Sequence, residues 1–209
     1  MIVDSWDNKL EQLSVYQKDI YFSEAYCRLY NSESRKARAF IYEKGSSIYI
    51  LPFMQGKIPY TNRFFDFETA YGYGGPITND PDPQFLHLAE QALAADCWKE
   101  GIIAGFIRFH PILGNQLFTS GLFNVIPDRL TVAMDLTVSE EEIWQSQLHS
   151  KNRNTIRKAN NSGLQFCQDE SFEHLDQFIE LYNQTMYRVG ADDFYHFGES
   201  YFKSLAADL

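Results

Sequence analysis

Cysteine is scarce: three residues, Cys27, Cys97 and Cys167, stand far apart in the chain. Their spacing offers neither a zinc-binding set nor a disulfide framework, and it predicts buried free thiols in a cytoplasmic protein. Long apolar runs are missing as well. The longest strongly apolar stretch, IIAGFI at 102–107, is far shorter than the roughly 20 residues of a membrane-spanning helix. The amino-terminal MIVDSWDNKL has no basic region and no apolar core, so no secretory leader is expected there. Bases are outnumbered by acids, 18 to 28, for a formal net charge of −10. That balance argues against a generic nucleic-acid binder, which needs a broad basic face, and leaves room for a local basic patch holding one anionic ligand. Also lacking are a G-x-S-x-G nucleophile elbow, a catalytic cysteine signature, the GK[ST] ending of a P-loop and a dinucleotide fingerprint. No internal repeat or low-complexity tract is evident.

What is present is core-forming. Hydrophobic residues make up 44% of the chain and aromatics 16%, which argues against disorder. Ser23 is placed to cap a short helix through Tyr30. ARAFIYEKGSSIYILPF reads as a hairpin joined across Glu43, Lys44 and Gly45. FFDFETAYGYGGP is a strand that ends in glycines. Asp82 followed by Pro83 opens a helix with Phe85, Leu88, Ala89, Ala92 and Leu93 in one stripe, and Gly101 stops it. IIAGFIRFHP begins apolar on both faces, as a buried central strand would. FNVIPDRLTVAMDL adds a further strand or two. Ser139 and Glu142 form a capping box that opens a long helix ending near Gly163. LQFCQ is a short strand. SFEHLDQFIELYNQTMYRVG is a helix with Phe172, Leu175, Ile179, Tyr182, Met186 and Val189 on one face, and a last helix runs around GESYFKSLAADL. Strands and helices alternate with neighbouring strands between them, an α+β (mixed α/β) pattern. The expected organisation is a first domain over 1–136, a connecting basic helix over 137–163, and a tail, 164–209, of one strand and two helices. A tail of that size rarely holds a core alone, so it is expected to need a partner chain, self-association or packing on the first domain.

One stretch stands out by charge. KNRNTIRKANNSG carries Lys151, Arg153, Arg157 and Lys158 and no acid. On a helix from 140 to about 161, Trp144, Leu148, Thr155 and Ala159 share a stripe. Arg153 and Arg157 point to the opposite side, and Lys151 and Lys158 sit on a shoulder. No acid lies three or four residues away to pair with them. Two readings stand: cations favoured at a helix carboxyl end by its dipole, or a phosphate clamp using one of the pairs.

Other segments carry candidates. In YGYGGP, residues 71–76, the glycines permit positive φ or the close approach of another backbone or a ligand, or simply make a tight turn. In FIRFHP, strand alternation puts Arg108 and His110 on one face, and Asn115 follows in the loop. Arg108 reads equally as an ion-paired structural residue or as part of a cleft; His110 reads as a satisfied loop histidine or a base. Tyr71, Tyr73, Arg108, His110 and Asn115 are the candidate pocket lining. Asp192, Asp193, His196 and Glu199 match no familiar metal spacing and read as a helix start. No metal site and no general base are identified.

In this order, YGYGGP, RFHPILGN and DLTVSEEEIWQSQLHSKNRNTIRKANNSGLQF resemble the Fem-type aminoacyltransferases and their GNAT-fold relatives. The aromatic–GP motif falls on Tyr73, Gly75 and Pro76. The K-x-R-x-x-I-R-K-A segment falls on Lys151, Arg153, Ile156, Arg157, Lys158 and Ala159. The resemblance implies a GNAT-like domain with a central mixed sheet flanked by helices, followed by a partial second GNAT-like domain. It also implies N-acyl transfer: aminoacyl or acetyl transfer to an amine of a sugar, peptidoglycan-precursor or amino-acid acceptor in cell-wall or polysaccharide biosynthesis. No cofactor is expected to be bound permanently; acyl-CoA or aminoacyl-tRNA is the implied co-substrate. The implied acceptor is small or nucleotide-linked, and Lys151, Arg153, Arg157 and Lys158 are the residues expected to bind its anionic part. No Q/R-x-x-G-x-G/A turn of the CoA-binding type occurs. Two alternatives stay beside transfer: a non-catalytic module binding an anionic nucleotide-sugar-like ligand, and an RNA-associated protein using the basic helix on tRNA.

Overall fold

Alternation of apolar residues on two faces of one hairpin builds the molecule's frame. The computed structural model describes residues 1–61 and 63–208. Strands β1 (Ile2–Val3), β2 (Arg35–Lys44), β3 (Ser47–Lys57), β4 (Phe65–Glu68), β5 (Ile77–Thr78) and β6 (Ile102–Phe106) form one mixed sheet in the order β1-β2-β3-β4-β6, with β5 also on β3. The β2–β3 hairpin pairs from Arg35↔Gly56 to Lys44↔Ser47. Glu43 and Lys44 therefore remain in the strand, and the turn falls on Gly45 (φ 64°) and Ser46. Pro52 cannot donate to a ladder. It lies between the stretch of β3 that pairs with β5 and the stretch that pairs with β4.

Both faces of this hairpin are covered. Ala37, Ala39, Ile41, Ile48, Ile50 and Met54 pack with Trp6, Phe22, Tyr26 and Cys27 of the amino-terminal segment. Phe40, Tyr49, Leu51 and Phe53 pack with Phe67 and with Phe85, Leu86, Ala89 and Leu93 of the helix Pro83–Glu100. That helix begins and ends as its sequence dictates. The Asp82 carboxylate accepts from the N–H groups of Gln84 and Phe85 at 2.9 and 3.0 Å, and Gly101 closes it at φ 73°. Ser23 likewise caps the short helix Glu24–Arg28 by accepting from the Tyr26 N–H.

The chain divides into two compact units: Met1–Pro127 with the stretch starting at Lys203, and Asp128–Phe202. The second contains Glu140–Glu142 continuing into a wider π-helical turn (Ile143–Gln147), then helices Ser150–Asn161 and Leu175–Val189. Within it Phe178, Tyr182, Phe197 and Phe202 form an aromatic cluster beside buried Ile179. The carboxylate of Asp192 accepts from the Phe194 N–H at 3.1 Å, a local capping role. Among the described residues no group of histidine, cysteine and carboxylate side chains could hold a metal, and no helix is long and apolar enough to cross a membrane.

Four expectations are corrected. The segment 102–107 is not a central strand: β6 ends the sheet order, parallel to β4, and residues 103–106 are exposed. The buried central strand is β3, which helix and amino-terminal segment cover from opposite sides. FNVIPDRLTVAMDL and LQFCQ form no strand. Leu130, Val132 and Phe166 are almost fully exposed, since alternation alone does not make a strand without a ladder partner. Residues 140–161 are two helices, not one, with Leu148 and His149 extended between them. Of the cysteines, Cys27 is buried, Cys97 half-buried and Cys167 exposed. Burial first, then nearby carboxylates, push the Cys27 thiol up to about 12 and that of Cys97 up to about 11, which leaves both unreactive near neutral pH.

The amino-terminal segment is held by a buried carboxylate. Glu24 accepts from the Ser5 hydroxyl and the N–H groups of Trp6 and Asp7, and pairs with Arg28, while Asp7 accepts from the Glu24 N–H at 2.8 Å. Burial alone would raise the Glu24 pKa; the hydroxyl, both N–H groups and Arg28 outweigh it and hold the carboxyl below its ordinary value. A depressed folded-state pKa stabilises above the unfolded value and is lost as pH falls through the folded one. Glu24→Gln is expected to cost about 1–3 kcal/mol at pH 7. The gap to wild type should narrow below about pH 4.3, the ordinary glutamate pKa, as measured by urea unfolding of the first unit followed through Trp6 fluorescence.

Candidate functional site

The glycine-rich turn after β4 is stitched to the run after β6. The Thr69 N–H donates to the Phe106 carbonyl at 3.1 Å, the Arg108 N–H to the Thr69 hydroxyl at 3.1 Å, and the Gly74 N–H to the Arg108 carbonyl at 2.8 Å. Gly74 and Phe109 form a parallel bridge. Asn115, fully buried, closes the arrangement: its amide NH2 donates to the carbonyls of Gly74 (2.8 Å) and Pro76 (3.0 Å), and its oxygen accepts from the His110 N–H (2.8 Å).

Glycine is required at two of these positions. Gly72 has φ 103°, and a Cβ there would meet the Tyr21 ring at 2.4 Å. Gly75 has φ 100°, and a Cβ would meet the Asn115 amide at 2.8 Å. Positive φ and close approach, both legible in YGYGGP, thus hold together, and the close neighbours are the protein's own side chains.

Around the turn stands a tyrosine cluster. Tyr21 meets Tyr26 and Tyr73 edge to face at 5.2 and 5.6 Å, and Tyr73 meets the His110 ring at 5.5 Å. The Tyr26 hydroxyl donates to the Tyr71 carbonyl at 2.8 Å. Arg108 is exposed, its guanidinium carbon 6.0 Å from the centre of the Tyr71 ring. His110 is buried, with Nε2 3.4 Å from Asp19 Oδ2. Tyr71, Tyr73, Arg108, His110 and Asn115 therefore belong to one neighbourhood, with Asn115 its inner clasp. Sequence reasoning missed Asp19 and Tyr21. Their one local signal is an aspartate two residues before Tyr21, which caps the turn Ile20–Phe22 by accepting from the Tyr21 N–H.

A concavity lies elsewhere in the first unit. An apolar groove of about 550 Å³ runs along β6, walled by Leu93 and Cys97 on one side and Leu122, Phe123 and Ile126 on the other. Buried Glu90 anchors that outer wall, accepting from the Ser120 hydroxyl at 2.7 Å and the Leu122 N–H at 2.9 Å. None of the five turn candidates lines this groove.

In the second unit the four cations divide by role. The break at Leu148–His149 swings Trp144 back toward the arginines, not away from them as a continuous helix would. The Arg153 guanidinium donates to the carbonyls of Trp144 (3.2 Å), Gln145 (3.4 Å) and Leu148, the oxygens a finishing helix leaves unsatisfied. Arg157 lies 5.2 Å from the Trp144 ring centre and donates to Asn154 at 3.2 Å. Lys151 and Lys158, two turns apart, are exposed on the opposite side of the helix. Among the described residues no carboxylate is ion-paired with any of the four.

The clasp makes a checkable demand. Asn115→Asp keeps the shape but turns a donor into an acceptor facing the carbonyls of Gly74 and Pro76. A loss of about 2–4 kcal/mol is expected from two broken bonds and a buried charge. It would be read as a lowered urea midpoint with altered near-ultraviolet tyrosine dichroism.

Among known proteins, no curated protein matches the chain. Residues 114–207, spanning the end of the first unit and the basic helix, match the model of the FemAB family. That family carries out aminoacyl transfer in peptidoglycan-bridge synthesis. Over those residues, somewhat less than half of the chain, the protein is similar to the FemAB family.

Proposed function

We propose that the chain takes part in N-acyl transfer, with aminoacyl-tRNA as donor and an amine of a peptidoglycan precursor or related acceptor as the receiving group. The family match over 114–207 is the observation that carries this reading. The acceptor nitrogen attacks the ester carbonyl of the donor; the C–N bond forms, the C–O bond to the ribose breaks, and the amine's proton leaves with the hydroxyl. Such chemistry draws on positioning and on donors facing the developing oxyanion, and needs no metal and no protein nucleophile. The absence of a triad in the sequence is compatible with it.

The basic helix supplies a hold on phosphate. Its free cations are not the arginine pair. Arg153 is occupied by backbone carbonyls and Arg157 by Trp144 and Asn154, so the ammonium groups of Lys151 and Lys158 are the point charges open to an anion. A nucleotide-linked acceptor meets them through its diphosphate, and the tRNA backbone is the other polyanion of the reaction.

The first test incubates radiolabelled aminoacyl-tRNA with the chain and a nucleotide-linked muramyl-peptide precursor. Label moving to the precursor is the expected result. No label on the acceptor under saturating donor would overturn the transfer reading. Stabilisation by UDP-sugars without turnover would favour the binding module instead. The second test compares Lys151→Ala/Lys158→Ala with Arg153→Ala in a thermal-shift titration with a UDP-sugar. The lysine pair is expected to weaken binding roughly tenfold, the loss of about 1.4 kcal/mol of charge pairing. Arg153→Ala is expected to lower the melting temperature without changing the ligand-induced increment. An unchanged increment in the lysine variant removes the phosphate role.

A further inference from the structure

We propose that Asp19, oriented by His110, is a seat for the acceptor's amino group, which binds as an ammonium and gives one proton to solvent before it attacks, and that Arg108 receives a carboxylate on the same molecule. The ligand class is a zwitterion, an amine and a carboxylate on one small skeleton. This rests on the transfer reading above and names its acceptor chemistry.

His110 Nδ1 faces two donors, the N–H groups of Ile112 at 3.3 Å and Leu113 at 3.2 Å. Its lone pair is therefore in use and the ring proton sits on Nε2. Nε2 points at Asp19 Oδ2, 3.4 Å away. The histidine is thus a donor with no open lone pair to offer a substrate, and its effect is to fix a carboxylate. Asp19 Oδ1 also accepts from the Tyr21 N–H at 3.4 Å. An ionised carboxylate has about four acceptor positions; the Tyr21 N–H takes one and the imidazole faces another at 3.4 Å, and the side chain is 36% exposed. No described lysine or arginine pairs with it. Its neighbour Lys18 is engaged by Glu11 at 2.9 Å.

Tyr21 and Tyr73 flank the same imidazole at 6.1 and 5.5 Å, so the group that orients the carboxylate is itself held among aromatic rings. The opposite charge lies one step along the chain. Arg108 and His110 are alternate residues of the extended run bridged to Gly74 through Phe109, about 7 Å apart along a strand. Arg108 is exposed over Tyr71 and is ion-paired with no described carboxylate. A carboxylate anchored on His110 and an open guanidinium on Arg108, two residues earlier in the same run, offer opposite charges to the two ends of an amino acid.

The test is an NMR titration of the 15N-labelled full chain with L-alanine, ethylamine and propionate. Alanine is expected to shift the amides of residues 19–21, 71–75 and 108–110 saturably, and each single-charge analogue to bind at least about tenfold more weakly. Asp19→Asn and Arg108→Gln should each lose alanine binding while the rest of the spectrum is retained. His110→Gln, whose amide still reaches the carboxylate, should keep binding, and His110→Phe, which preserves the buried ring, should lose it. Equal alanine affinity in Asp19→Asn, or shifts confined to other residues, would overturn the proposal. The transfer assay separates the two claims: unchanged acceptor KM in Asp19→Asn sinks the ammonium seat alone, whereas alanine binding without any transfer sinks the reaction alone.

Discussion

Two-sided burial of β3 is the constraint from which the rest follows. A strand apolar on both faces must be roofed twice. The amino-terminal segment does this on one side and the helix Pro83–Glu100 on the other. Both covers are secured by polar devices at their ends: Glu24 for the first, Asp82 and Gly101 for the second. With β3 fixed, β4 is fixed in register beside it, and the turn after β4 is delivered to the run after β6. There Asn115 ties the two stretches together. The candidate neighbourhood is thus a corner of the sheet, tied together by backbone hydrogen bonds and by Asn115.

Much of this was legible in the residues because the signals were local. Ser23, Asp82, Gly101 and the Gly45 turn each act within four residues, where capping and φ preferences decide. The glycines of YGYGGP were readable for the same reason. The hidden parts depend on distant partners. That 102–107 would be an edge depends on sheet order, which apolar composition does not encode. Asp19 reaches His110 across about ninety positions, and nothing in KDIYFSE announces it. The helix break at Leu148 was obscured because a wheel drawn through 140–161 looks regular; at the break a guanidinium turns back onto three carbonyls.

The basic stretch shows how sequence charge and available charge differ. Four cations without local acids look like one patch. Arg153 serves as a cap for the turn before it and Arg157 rests on an indole, so half of the apparent charge is structural. Planar guanidinium suits both tasks, since it satisfies several carbonyls at once and stacks on a ring. The lysines, with compact ammonium groups on long stems, are left to meet solvent or ligand. The division follows from the chemistry of the two side chains.

β6 stands last in the sheet order among the described residues, and Ile103 and Phe106 lie more than half exposed along it, beside the groove walled by Leu122, Phe123 and Ile126. A strand in that position is a template for additional strands. Its ladder to β4 is parallel, and neither a proline nor a lysine interrupts Ile102–Phe106. A strand added there would extend the sheet in spite of the chain's net charge of −10, and a single lysine in place of Ile103 would discourage it.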